Sequence, residues 1–234
     1  PAPPFITSTL QQEASRKLGM TSKRSMAVAQ SLYEGVEIRE HGLTGLITYM
    51  RTDSLRVADE ALKSVRSLIG KRYGEAYLPK RPRMFKTKKG AQDAHEAIRP
   101  THPELSPEDL KSSLTPDQYK LYRLIWSRFV ASQMTEQILD TLSVDILSAG
   151  FLFRATGFTV KFPGFTALYE ESRDDAGEDA ARRLPPMAEG MALAHKDTKA
   201  EQHFTQPPPR YTEASLIKAM EEKGVGRPST YAPT

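Results

Sequence analysis

The stretch Gly45-Leu46-Ile47-Thr48-Tyr49-Met50-Arg51-Thr52-Asp53-Ser54 sets a phenol and a guanidinium two residues apart. Side chains at i and i+2 of an extended chain leave on the same face, so Ile47, Tyr49 and Arg51 share one side and Leu46, Thr48 and Met50 the other. A phenolic oxygen and a bidentate cation on one face can address a single phosphate. The same spacing also fits a tyrosine half-buried in a strand for packing alone. Thr52, Asp53 or Ser54 is placed to cap a helix that follows.

Upstream, Thr7, Ser8 or Thr9 can cap a helix whose apolar stripe is Leu10, Ala14 and Leu18 and which Gly19 would end. A second helix is predicted after Thr21 or Ser22, with Met26, Ala29, Tyr33 and Val36 on one side. Two helices leading into strands describe a helix-turn-helix unit with a wing. Downstream, Leu62, Val65, Leu68 and Ile69 mark a helix from Asp59 to about Ile69. Ser106-Pro107-Glu108 and Thr115-Pro116-Asp117 both read as helix starts. The second opens an aromatic-rich stripe of Tyr122, Ile125, Trp126 and Phe129, with Gln133 in phase, which reads as core.

After Thr135 the period drops to two, in the runs Leu142-Val144-Ile146, Phe151-Phe153-Ala155 and Phe158-Val160-Phe162. Turns are expected at Ser148-Ala149-Gly150, Gly157 and Pro163-Gly164, giving an antiparallel sheet. A further strand pair is expected around residues 191–195 and 202–204, with the acidic stretch 170–186 as a loop. Pro207-Pro208-Pro209 enforces an extended connector to a last helix, from Thr212 to Lys223. The fold class expected is multidomain α+β. A helical, winged-helix-like domain carrying Tyr49 spans 1–134, and a partial antiparallel β domain spans 135–206. Residues 207–234 form the truncated start of a further helical domain.

The chain has 234 residues, 38% hydrophobic and 26% charged, with net charge +4 and no cysteine. Disulfides and thiolate metal sites are therefore excluded, and no run approaches the roughly 20 apolar residues of a membrane span. No signal-peptide pattern is visible, which leads to a cytoplasmic expectation. Charge is uneven. Residues 51–101 hold thirteen Lys or Arg against six Asp or Glu, whereas residues 136–206 hold seven against twelve. The cluster Lys80, Arg81, Arg83, Lys86, Lys88 and Lys89 would attract a polyanion, or else is a solvated loop. His95-Glu96 begins a zinc-protease-like helix motif, but position 99 is Arg, so the second histidine ligand is missing.

Four ordered blocks are similar to those of type IA DNA topoisomerases of the bacterial kind. They are Pro4-Phe5-Ile6-Thr7-Ser8-Thr9-Leu10-Gln11, the Tyr49 stretch, Asp93-Ala94-His95-Glu96-Ala97-Ile98-Arg99-Pro100-Thr101, and Gly224-Val225-Gly226-Arg227-Pro228-Ser229-Thr230-Tyr231-Ala232. The resemblance implies that Tyr49 joins covalently to a 5′ phosphate of one DNA strand, leaving a 3′ hydroxyl. The other strand passes through the gap, and the break reseals without ATP, relaxing negative supercoils. A free tyrosine has a pKa of about 10, so the phenol needs activation, and Arg51 is the candidate to stabilise charge on the attacked phosphate.

The resemblance further implies that His95 lies near the active-site phosphates and that Arg99 supports the site or the DNA backbone. Arg227 and Ser229 would contact DNA, with Thr9 and Gln11 as further polar contacts that helix capping also explains. The partner is DNA, as single-stranded segments of negatively supercoiled duplex in the bacterial nucleoid. Mg²⁺ would serve the intact enzyme through an acidic domain of the TOPRIM type whose pattern this chain lacks, so the chain alone is expected to be inactive. An open sheet edge would favour self-association. The rival readings are a non-catalytic winged-helix DNA-binding module and another tyrosine strand-transferase, a recombinase or relaxase.

Overall fold

A computed structural model describes residues 1–39, 41–86, 95–172 and 184–234. The chain divides into two compact units. The first comprises Pro1–Gln137, Pro163–Asp175 and Tyr211–Thr234, and the second comprises Ile138–Phe162 and Ala176–Arg210.

The first unit holds all five α-helices of the described residues: α1 (Thr7–Leu18), α2 (Ser22–Glu34), α3 (Asp59–Tyr73), α4 (Pro116–Ser132) and α5 (Glu213–Glu222). Their limits follow from local chemistry. α1 starts at Thr7, and the Thr9 hydroxyl reaches back to accept from the Ile6 N–H at 3.0 Å. It stops at Gly19, whose φ of 62° lets the chain turn left-handed. Thr21 caps α2 by accepting from the Arg24 N–H, and Thr115 caps α4 with Pro116 in the first turn. At the start of α5, Thr212 and Ser215 form a reciprocal capping box. The Glu213 carboxylate also accepts from the Ser22 N–H at 2.5 Å, so the first turn of α5 satisfies an orphan donor of α2. That anchor, together with buried Ala214, Ile217 and Met220, docks α5 against α1 in the first unit.

Thr52 and Ser54 do not cap α3. The Thr52 hydroxyl accepts from the Ser54 N–H and the Ser54 hydroxyl from the Arg56 N–H, so successive hydroxyl turns lengthen the approach. The helix starts at Asp59, and the N–H of its cap residue Ala58 is held by the Glu96 carboxylate at 3.1 Å. Ser106 likewise starts no regular helix. Its N–H and hydroxyl bind the Asp109 carboxylate, and the chain continues in turns to α4.

α4 is the centre of the core. Leu121, Tyr122, Ile125, Trp126, Phe129 and Val130 are buried, each such large apolar side chain contributing about 1.5–3 kcal/mol by transfer out of water. The polar ends are matched: Tyr122 donates to the Leu105 carbonyl at 2.7 Å and Trp126 to the Pro103 carbonyl at 2.8 Å. Burial pushes the Tyr122 phenol far up, followed by the charges of Glu104 and Asp109. Arg128, on the same helix and 2% exposed, lies over the rings of both Phe5 and Tyr169. It donates to the Pro3 carbonyl and to Glu171, while the Tyr169 hydroxyl donates to buried Glu13 at 2.6 Å. This pairing satisfies a charge that would be costly to bury alone.

After α2 the chain makes a short antiparallel hairpin, β1 (Val36–Ile38) with β2 (Gly42–Thr44). The second unit is a longer antiparallel ribbon, β3 (Ile138–Ser148) with β4 (Phe151–Phe162). Its turn is Ala149-Gly150, with φ of 50° and 83°, both positive as a primed hairpin turn requires. Gly157 is not a turn. It pairs with Leu142 inside β4, because the two-residue turn sets a register that carries the ladder past it. The strand pair expected around 191–195 and 202–204 is absent. Those residues are irregular and exposed, and no strand among the described residues pairs with them. The expected loop at 170–186 lies partly outside the described residues.

Candidate functional site

The Tyr49 segment is extended but is not a full strand. It lies antiparallel to residues 97–101 through a single bridge, Ile47 with Pro100. Further hydrogen bonds run from the Thr48 N–H to the Arg99 carbonyl at 2.9 Å and from the Thr101 N–H to the Leu46 carbonyl at 3.0 Å. The Thr48 hydroxyl doubles the link, donating to the Ala97 carbonyl at 2.7 Å and accepting from the Arg99 N–H at 3.0 Å. Strict alternation fails here: Leu46, Ile47 and Met50 are all buried, while Tyr49 is half-buried and Arg51 exposed.

Gly45 makes the approach possible. A Cβ there would stand 2.7 Å from the Tyr33 carbonyl oxygen, a backbone atom at the end of α2. Gly45→Ala therefore forces the segment away from α2, and we expect a loss of about 1–3 kcal/mol, measured by denaturant unfolding of variant and wild type.

Tyr33, Tyr49, Arg51, Asp53, His95, Arg227, Pro228 and Ser229 line one cleft of about 680 Å³, all within the first unit. The Tyr49 ring meets Tyr33 edge-on, with centroids 5.4 Å apart, and lies tilted against His95 at 5.2 Å. Arg227 and Ser229 enter from the turns after α5. Gly226, at φ 83°, packs where a Cβ would come within 3.3 Å of the Tyr231 ring, and the Arg227 carbonyl accepts from the N–H groups of Thr230 and Tyr231. The surface combines three basic or imidazole side chains, two hydroxylic aromatics, a serine and one carboxylate. That set suits an anionic, base-bearing chain.

The structure thus brings Tyr49, Arg51, His95, Arg227 and Ser229 together. It places Thr9, Gln11 and Arg99 elsewhere. The Thr9 hydroxyl serves the start of α1, and Gln11 is fully buried in the same helix. Arg99 donates to Glu96 at 2.8 Å and to the Pro100 carbonyl at 3.0 Å. Of the basic cluster, Lys88 and Lys89 lie outside the described residues, as do Asp93 and Ala94. Arg83 is bound to Glu136 at 2.6 Å and to the Met134 carbonyl, leaving Lys80, Arg81 and Lys86 exposed.

Tyr33 was missed as a cleft residue. Its helical phase with Met26 and Ala29 marks it as core, but it sits at the last turn of α2, where the buried stripe runs out and 41% of it is exposed.

Glu96 links the cleft segment to α3. Burial raises its pKa, but the Arg99 hydrogen bond and charge and the Ala58 N–H outweigh that, so the carboxyl is held below its ordinary 4.5. A depressed carboxyl stabilises the fold in full above its unfolded value and loses that contribution as pH falls through the folded one. The melting difference between wild type and Glu96→Gln is therefore expected to be constant near neutrality and to shrink below pH 4.5. Thermal melts at stepped pH measure it.

A family model described as DNA topoisomerase matches residues 1–234. The chain belongs to the type IA family of these enzymes. Full-length topoisomerase I from Thermotoga maritima is similar to it, with 38% sequence identity and a TM-score of 0.77. The match covers 100% of this chain and 37% of that one. No helix among the described residues is long and apolar enough to cross a membrane.

Proposed function

We propose that this chain supplies the nucleophile-bearing part of a type IA DNA topoisomerase, with Tyr49 attacking a phosphodiester of single-stranded DNA to form a 5′-phosphotyrosine bond. The observation that carries the reading is the shared cleft of Tyr49, Arg51 and His95 with Arg227 and Ser229. The Tyr49 phenol gives up its proton to water as its oxygen attacks phosphorus, the bond from phosphorus to the 3′ oxygen breaks, and that oxygen takes a proton from water and leaves as a hydroxyl. The covalent bond conserves the energy of the linkage, so the hydroxyl attacks back and reseals the strand without ATP. Arg51 stabilises the charge gathering on the non-bridging oxygens through a two-pronged hydrogen bond. His95 holds the Tyr49 ring from one side and faces the phosphate. Arg227 and Ser229 hold the flanking backbone. Strand passage and relaxation of negative supercoils belong to the whole protein, of which the two units here would be a helical part with a winged-helix-like α1–α2–hairpin arrangement and part of a β arch. In that protein residues 207–234, whose α5 packs on α1 within the first unit, would lead into a further helical domain.

A Mg²⁺ ion does not fit the described residues. None of them form a group of three or more His, Asp or Glu able to hold a metal, and Asp53 is the one carboxylate lining the cleft. The Mg²⁺ ligands of the intact enzyme would lie outside this chain, and the isolated chain is expected not to relax DNA. Among the described residues β3 and β4 form a two-stranded ribbon, whose outer sides would take further strands or a second copy.

The test is to trap the covalent adduct of the full-length protein with an end-labelled single-stranded oligonucleotide in denaturant. Protein attached to the 5′ end of the downstream fragment supports the reading. A 3′ attachment points to a recombinase-type transferase, and no adduct at all to a binding module.

A further inference from the structure

The first residue of α1 is tied to both sides of Arg51. Thr7 is fully buried, and its hydroxyl donates to the Met50 carbonyl at 2.7 Å while accepting from the Thr52 N–H at 2.9 Å. Its own N–H donates to the Thr52 carbonyl at 2.9 Å. Met50 and Thr52 are themselves buried, whereas Arg51 between them is exposed to the cleft. A residue whose two neighbours are pinned by one side chain has little freedom to redirect its Cα–Cβ bond.

The Thr7 contact is one link in a closed path. From Thr52 it runs through the Ser54 N–H and the Arg56 N–H to the Arg56 carbonyl, which accepts from the Ala97 N–H at 2.8 Å. The Ala97 carbonyl then accepts from the Thr48 hydroxyl, next to Tyr49. The path encloses the backbone that presents Tyr49 and Arg51, and at Ala97 it passes two residues from His95. Its side-chain members are uncharged hydroxyls, and Thr7, Thr52 and Ser54 are buried. Such a network holds geometry without adding a charge that would compete for the phosphate.

We propose that Thr7 is a positioning residue for strand cleavage, its hydroxyl fixing the backbone on both sides of Arg51 so that the guanidinium meets the phosphate attacked by Tyr49. The inference rests on the strand-cleavage reading above and adds a residue that touches neither phosphate nor nucleophile. Valine has the shape of threonine but neither donates nor accepts, so it leaves the Met50 carbonyl and the Thr52 N–H unpaired. Serine keeps both bonds.

The experiment uses the full-length protein with a single-stranded oligonucleotide and reads the single-turnover rate of adduct formation at saturating DNA, alongside the Kd for the same oligonucleotide. Thr7→Val is expected to slow adduct formation about tenfold or more with Kd within about twofold, and Thr7→Ser to restore the rate. Because Thr7 acts through Arg51, adding Thr7→Val to Arg51→Ala is expected to cause no further loss. A rate for folded Thr7→Val equal to wild type overturns the proposal, and so does a loss that multiplies in the double variant. Where Thr7→Val does not fold, Thr7→Cys, which keeps a weak hydrogen-bonding group, replaces it, with an intermediate loss that vanishes in the Arg51→Ala background. Tyr49→Phe separates the two claims: an adduct that survives it sinks the cleavage reading, whereas an unaffected Thr7→Val beside an inactive Tyr49→Phe sinks the positioning role alone.

Discussion

Tyr49→Phe in the full-length protein is expected to abolish the covalent DNA adduct and the relaxation of supercoiled DNA while leaving the fold intact. Phenylalanine keeps the ring that packs against Tyr33 and His95, and it removes only the hydroxyl of a half-buried residue that lines the cleft, so stability should change by no more than about 0.5 kcal/mol. The other buried phenols cannot substitute. Tyr122 and Tyr169 are held as neutral donors to the Leu105 carbonyl and to Glu13, their ionisation opposed first by burial. Neither lines the cleft. Denaturing gels of labelled oligonucleotide and melts of both proteins decide the matter. An adduct in the folded variant would move the nucleophile elsewhere.

Arg51→Ala should lower cleavage by about a hundredfold or more, in the range seen when one preorganised donor to a developing oxyanion is removed. The side chain is exposed in the cleft, so the cost to folding stays within about 0.5 kcal/mol. Arg51→Lys retains the charge but loses the planar fork, and an intermediate rate is expected. Adduct formation at the wild-type rate in Arg51→Ala would leave charge stabilisation to another group of the cleft, with Arg227 next to be tested.

Much of the helical architecture was readable because its signals are local. Thr21, Thr115 and Thr212 stand where a hydroxyl must accept from an N–H three residues on, and Gly19 sits where φ turns positive. The failures share a cause as well. Thr52, Ser54 and Ser106 carry the same cap-forming hydroxyls, but each finds a different short-range partner, which sequence spacing does not separate from a cap. Gly157 looked like a turn because glycine breaks the pattern, yet the register set at Ala149-Gly150 carries it into the ladder. At the site, Tyr49 and Arg51 were legible from one decapeptide. His95, Arg227 and Ser229 were reached through family resemblance, and Tyr33 was read only as core. For Arg99 the resemblance left open support of the site or contact with the DNA backbone, and its guanidinium is hydrogen-bonded to Glu96.

By itself, the order of residues determined where α2, α4 and α5 begin and where α1 ends, which segment alternates as a ribbon, and that a phenol and a guanidinium stand side by side, since each depends on groups within a few positions of one another. Only the tertiary structure decided that Tyr33, His95, Arg227 and Ser229 converge on Tyr49 and that Thr7 grips the chain around Arg51. Those meetings join parts of the chain far apart in sequence. They arise from the docking of α5 on α1, from the pairing of the Tyr49 segment with residues 97–101, and from its close approach to the end of α2, which Gly45 leaves room for, and contacts of that range leave no periodic trace along the chain.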